Sequence, residues 1–129
     1  MPDYVQLAGK AIKAHSSQLT SISNQLWDTA EIRFQEWRSA HLLCEELENE
    51  GFTVERGVGG LPTAFRASFG GGGPVIGFLG EYDALPGLSQ QALTAQKAPG
   101  PKGEGGSGHG CGHHLLGTAL LGAAIALKE

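Results

Sequence analysis

From Asp3 to Asn49 apolar positions fall three and four apart, as at Leu19, Ile22 and Leu26, which is the spacing of one helix face. Asp3 stands where an N-cap belongs. A break near Trp27 to Phe34 divides the stretch into two helices, the second over about Gln35 to Asn49, and Gly51 follows as a helix-terminating glycine. Cys44 falls beside Leu43 and Leu47 on or near the apolar face, where it reads as a small core residue.

After Gly51 the period changes from about 3.6 to 2. FTVER (52–56) and TAFRASF (63–69) alternate, so each offers one face to a core and one to water. PVIGFLG (74–80) is a continuous apolar run and predicts a strand buried on both faces. Residues 86–109 have no period and a Pro-, Gly- and Lys-rich middle, and a loop of that length inside a compact domain is usually functional or disordered. From about Gly110 to Leu127 the chain is apolar almost all round, which predicts a helix buried on every side. Helices, then strands, then a buried helix make an α/β layer arrangement.

Composition narrows the function classes. The chain has 129 residues, enough for one core, and a net charge of −4 with the two signs interspersed. No basic patch invites nucleic acid or an anionic membrane surface. No apolar stretch approaches the ~18 residues of a membrane span, and MPDYVQLAGKAIKAH lacks a signal-peptide pattern. The expectation is a soluble, cytoplasmic protein with Cys44 and Cys111 reduced.

Two stretches can carry chemistry. Glu81 and Asp83 follow the apolar run and lie on the same side of an extended chain. Acids at the carboxyl end of a buried strand are well placed for a ligand, or else they cap the turn before ALPG. The second stretch, GSGHGCGHHLLG (106–117), gathers His109, Cys111, His113 and His114. Thiolate and imidazole are good ligands for zinc and similar ions, and the glycines let the backbone fold back between them. A helix N-terminus favours a thiolate and disfavours a bare cation, so a metal here needs further anionic ligands. A solvated histidine-rich turn, a structural zinc that also uses Cys44, and a thiol activated by a histidine base are the competing readings.

PVIGFLGEYDALPGLSQ followed by GHGCGHHLLGTALLGAAIAL resembles the N-terminal part of the dinuclear-metal amidohydrolases of metallopeptidase family twenty, Cys-type branch, as do WDTAEIRFQE (27–36) and GFTVERGVGGLPTAF (51–65). The resemblance implies that residues 1–129 form part of a zinc-peptidase-like three-layer catalytic domain. It implies two divalent ions, zinc or manganese, in the complete enzyme, with Cys111 and His113 as ligands. Asp83 then holds the site in place, and Glu81, His114 and His109 are further candidates. His114 departs from the Asp or Asn that usually follows the C-G-H motif. The implied activity is hydrolysis of an amide bond in N-acyl amino acids, aminobenzoyl-glutamate or small dipeptides. The general-base Glu, the remaining ligands and the lid and dimerisation domain are expected beyond residue 129, so this chain alone is expected to be inactive. The rival expectation is a non-catalytic module that pairs through its apolar helix, as a homo-oligomer or with a relative.

Overall fold

The computed structural model describes all of residues 1–129. Four α-helices, one two-stranded antiparallel sheet and a single 3-10 turn (Val58–Gly60) between its strands make up the regular structure: α1 (Tyr4–Ala14), α2 (Ser16–Thr29), α3 (Trp37–Asn49), β1 (Thr53–Arg56), β2 (Phe65–Ser68) and α4 (His113–Lys128). This is a mixed α/β chain, as the pattern predicts. No helix is long and apolar enough to cross a membrane.

Local signals act where they stand. Asp3 caps α1 by accepting from the Gln6 N–H at 3.1 Å. The end of α3 is closed by Gly51 at φ +85, with the Gly51 N–H donating to the Glu48 carbonyl and the Phe52 N–H to the Leu47 carbonyl. Those two bonds satisfy carbonyls that the helix leaves free, and the left-handed backbone they need is open to glycine. The chain then turns back with Phe52 packed on the core, and β1 pairs with β2 from Thr53 opposite Ser68 to Arg56 opposite Phe65. Val54, Phe65 and Ala67 point inward. An extra break at His15, between α1 and α2, is not marked by the apolar spacing.

Ile22 and Leu26 of α2, Leu43 and Leu47 of α3, and Leu121 and Ile125 of α4 form the core. Each such side chain, fully buried, contributes roughly 1.5–3 kcal/mol. Cys44 is buried beside them, as expected, and burial pushes its thiol pKa up.

Two expectations are corrected. PVIGFLG is not a strand: from Gly70 to Asp83 the chain makes no backbone-to-backbone hydrogen bond, and Val75 and Leu79 are 90% and 95% exposed. A buried strand needs neighbours on both edges and apolar layers on both faces, and neither β1 nor β2 runs beside it. Likewise α4 is not buried all round. His114, Thr118, Leu121, Gly122 and Ile125 are covered, largely by α1 and α2, while Leu115, Leu116 and Leu127 face outward. Between α4, the hairpin and residues 75–80 runs an apolar groove of about 910 Å³. The accessible surface of 8321 Å² reflects this, since a folded chain of 13.4 kDa is expected to expose about 6,500 Å².

Candidate metal centre

Three segments meet where the chemistry-bearing residues lie. The Ala84 N–H donates to the Glu31 carbonyl at 2.7 Å, and Leu85 and Gly108 exchange a pair of backbone bonds at 3.0 Å. Residues 83–85 are thus held between the α2–α3 connection on one side and the turn that opens α4 on the other. The second pairing closes the long loop of residues 86–107 and brings His109–His114 back to Asp83. The Ser107 hydroxyl adds a bond to the Ala30 carbonyl at 2.6 Å.

Gly112, at φ +85, bends the chain in the left-handed region, and α4 begins at the next residue, His113. The His113 ring lies between the two acids. Its Nδ1 is 2.8 Å from Asp83 Oδ1 and 3.0 Å from the Asp83 carbonyl oxygen, and its Nε2 is 3.1 Å from Glu81 Oε2. Both neighbours of Nδ1 are acceptors, so Nδ1 carries a proton and donates. Glu81 Oε2 is an acceptor as well, so a divalent ion bound between Nε2 and Glu81 would stand where a proton otherwise bridges them, with Asp83 orienting the ring from the other side.

Glu81, Asp83 and His113 form a group that could hold a metal ion, with one ligand atom from each all within 4.8 Å of one another. The donor set fits: carboxylate oxygen and imidazole nitrogen suit zinc and manganese. The two acids also supply the negative charge that a cation needs at the positive end of α4. His113 and Asp83 are largely shielded from solvent, whereas the Glu81 side chain is exposed.

Cys111 lies outside this group, exposed at the tip of the turn. His109 and His114 point the other way, into the protein. His109 Nε2 donates to the Leu26 carbonyl at 3.0 Å, the His114 ring stands edge-on to Trp27 with centroids 5.0 Å apart, and the two imidazoles are 4.9 Å apart. Desolvation, and after it the neighbouring His114, lowers the His109 pKa to about 4, and desolvation lowers that of His114 as well. Both rings are held neutral, and they act as a wedge that ties the turn to the end of α2. Their buried Nδ1 atoms have no hydrogen-bond partner, a cost of about 1–3 kcal/mol each that surrounding packing must offset.

Sequence reasoning named all three members of the acid–histidine group but paired His113 with Cys111. It missed Tyr82. Alternation sends Tyr82 away from its two acidic neighbours, and its hydroxyl donates to the Thr63 carbonyl while the Thr63 hydroxyl donates to buried Glu36 at 2.6 Å. Burial, with Glu36 nearby, raises the Tyr82 pKa. The signal was present in period two: if Glu81 and Asp83 share one side, the residue between them must anchor the other.

The class defined so far is an α/β chain with an acid–histidine group suited to a divalent ion. No family model matches it. In sequence it is similar to one of the subunits of the p-aminobenzoyl-glutamate hydrolase of Escherichia coli (strain K12), at 54% identity over 96 residues that make up 74% of this chain and 20% of that protein. The chain thus spans about a fifth of the length of this relative.

Proposed function

We propose that the chain carries the first part of the metal centre of an amidohydrolase whose complete form cleaves the amide bond of aminobenzoyl-glutamate or related N-acyl amino acids. The observation that carries the reading is His113 held between Asp83 and Glu81, in a chain with 54% identity to part of a hydrolase. His113 Nε2 and Glu81 would hold a divalent ion, zinc or manganese, and Asp83 would orient the ring through Nδ1. Cys111 and a second ion belong to the same reading through the family resemblance. When bound, the ion supplies Lewis-acid polarisation of an amide carbonyl. The protein groups bind and align: Asp83 fixes the tautomer and Glu81 adds charge. The wedge of His109 and His114 keeps the turn in place.

Because the matched residues make up only 20% of the relative, the reading gives this chain only part of the site. Metal content per chain by elemental analysis, with a parallel assay for p-aminobenzoate release from aminobenzoyl-glutamate, tests both parts. The expected result is a bound divalent ion, lost in His113→Ala, without turnover. Equal metal in His113→Ala and the parent would overturn the metal assignment, and turnover by the chain alone would overturn the partial-site assignment.

A non-catalytic pairing role is favoured by one observation, the outward-facing Leu115, Leu116 and Leu127 of α4. It predicts a defined, concentration-dependent dimer in sedimentation that survives His113→Ala.

A further inference from the structure

The acids and His113 come from segments far apart in sequence, so something must fix how the first slides along the second. His113, Gly117 and Leu120 are spaced four and three apart and share one face of α4. Residues 80–83 lie along that face in the opposite direction. Gly80 meets Leu120, Tyr82 and the Glu81 carbonyl meet Gly117, and Asp83 meets His113. The rises agree: three residues of extended chain and seven residues of helix each cover about 10 Å. One register therefore satisfies all three contacts.

The crossing has two close points: a Cβ at Gly80 would run into the end of the Leu120 side chain, which can swing aside, whereas Gly117 faces the less yielding base of Tyr82. A methyl group there would stand 3.0 Å from Tyr82 Cβ, 3.5 Å from the Glu81 carbonyl oxygen and 3.7 Å from Leu43 Cδ1. Gly117 has an ordinary helical backbone, and alanine is the better helix former, so its use here calls for a packing reason. Tyr82 has little room to retreat, because its hydroxyl is bonded to Thr63 and its ring packs on Phe65 at 5.8 Å. A displacement at Tyr82 Cβ passes along the extended chain to Glu81 and Asp83.

We propose that Gly117 is a positioning residue that sets the register in which Glu81 and Asp83 meet His113. This deepens the metal-centre reading and rests on it for its functional meaning, although the register itself is a property of the metal-free chain.

The test compares Gly117→Ala with Gly122→Ala. Gly122 lies on the same helix, but a methyl group there meets only the side-chain ends of Ile12 and Leu19, at 3.2 Å. Both changes carry the same gain in helix propensity. In metal-free protein, imidazole nitrogen-15 spectra should show the Nδ1 proton of His113 bonded to Asp83 in the parent and in Gly122→Ala, and weakened or lost in Gly117→Ala. With zinc ion alone as the probe, calorimetry should show affinity about ten- to a hundredfold weaker in Gly117→Ala, the size seen when groups that orient ligands are disturbed, and unchanged in Gly122→Ala. Tyr82→Phe keeps the ring, frees it from Thr63 and leaves the helix contact alone. It should move the same readouts less far, and it decides the matter if Gly117→Ala does not fold. Unchanged His113 signals in both Gly117→Ala and Tyr82→Phe would overturn the proposal, as would an equal loss of zinc affinity in Gly122→Ala. A parent that takes up no zinc while Gly117→Ala still shifts the His113 signals would overturn the metal reading and support the register.

Discussion

Residues 70–80 and 81–85 are consecutive, yet the structure treats them in opposite ways. The first part is the more apolar and is left open: it has no backbone pairing, and Val75, Ile76, Phe78 and Leu79 are exposed. The second part carries two acids and is pinned by four partners: Glu31 and Gly108 hold its backbone, His113 takes Asp83, and Thr63 takes Tyr82. Hydrophobicity alone does not order a strand, because each of its N–H and C=O groups needs a partner and its side chains need two covering layers. A few well-placed hydrogen bonds do order the polar end.

The sharpest way to break this comparison is to truncate one leucine in the closed part of the molecule and one in the open part. Leu26 is fully buried at the end of α2, beneath the site, and Leu26→Ala should cost about 2–5 kcal/mol. Leu79→Ala removes the same atoms from an exposed position and should change stability by about 0.5 kcal/mol or less. Urea titrations of both decide it, and comparable losses would mean that residues 74–80 are packed in solution.

Next in size is the site itself. Asp83→Asn keeps the shape but replaces the carboxylate that holds the proton on His113 Nδ1, and zinc affinity should fall about ten- to a hundredfold with little change in the unfolding midpoint. Unaltered affinity would show that the ring needs no orienting partner.

A smaller effect concerns pH, in protein treated with a chelator. His109 has a pKa lowered from its ordinary 6.5 to about 4. Between those values the unfolded chain binds more protons than the folded one, so stability rises with pH across that window. The stabilisation is whole above about pH 6.5 and is lost as pH falls toward 4. His109→Gln keeps a donor for the Leu26 carbonyl and cannot titrate, so its unfolding midpoint should depend less on pH over that range. An unchanged slope would place the titration elsewhere.

What was legible in the sequence was local. The Asp3 cap, the Gly51 terminator, the two alternating strands and the buried Cys44 depend on neighbours a few residues away. What was not legible depends on distant partners. The apolar runs 74–80 and 115–127 announce a need for cover and say nothing about whether cover is present. The acid pair on one side of the chain followed from period two, but its histidine could be assigned only once the Leu85–Gly108 pairing had closed the long loop. Alternating glycines in GHGCGHH leave each side chain free to face either way, which is why His109 and His114 turned to Trp27 while His113 turned to the acids.

The smallest expected effect on stability sharpens the comparison from its open side. Leu79 stands 95% exposed on a segment whose backbone groups have no partner within the chain, so they are free to pair with another chain. A lysine there removes apolar surface and adds a charge that opposes such pairing. Leu79→Lys should leave the unfolding midpoint within about 0.5 kcal/mol of the parent while lowering light scattering at high protein concentration. If it destabilised the fold as Leu26→Ala does, the segment would be buried in solution. If scattering did not change, Leu79 would not carry the self-association, and the same substitution at Leu116, among the exposed leucines of α4, would test that face in turn.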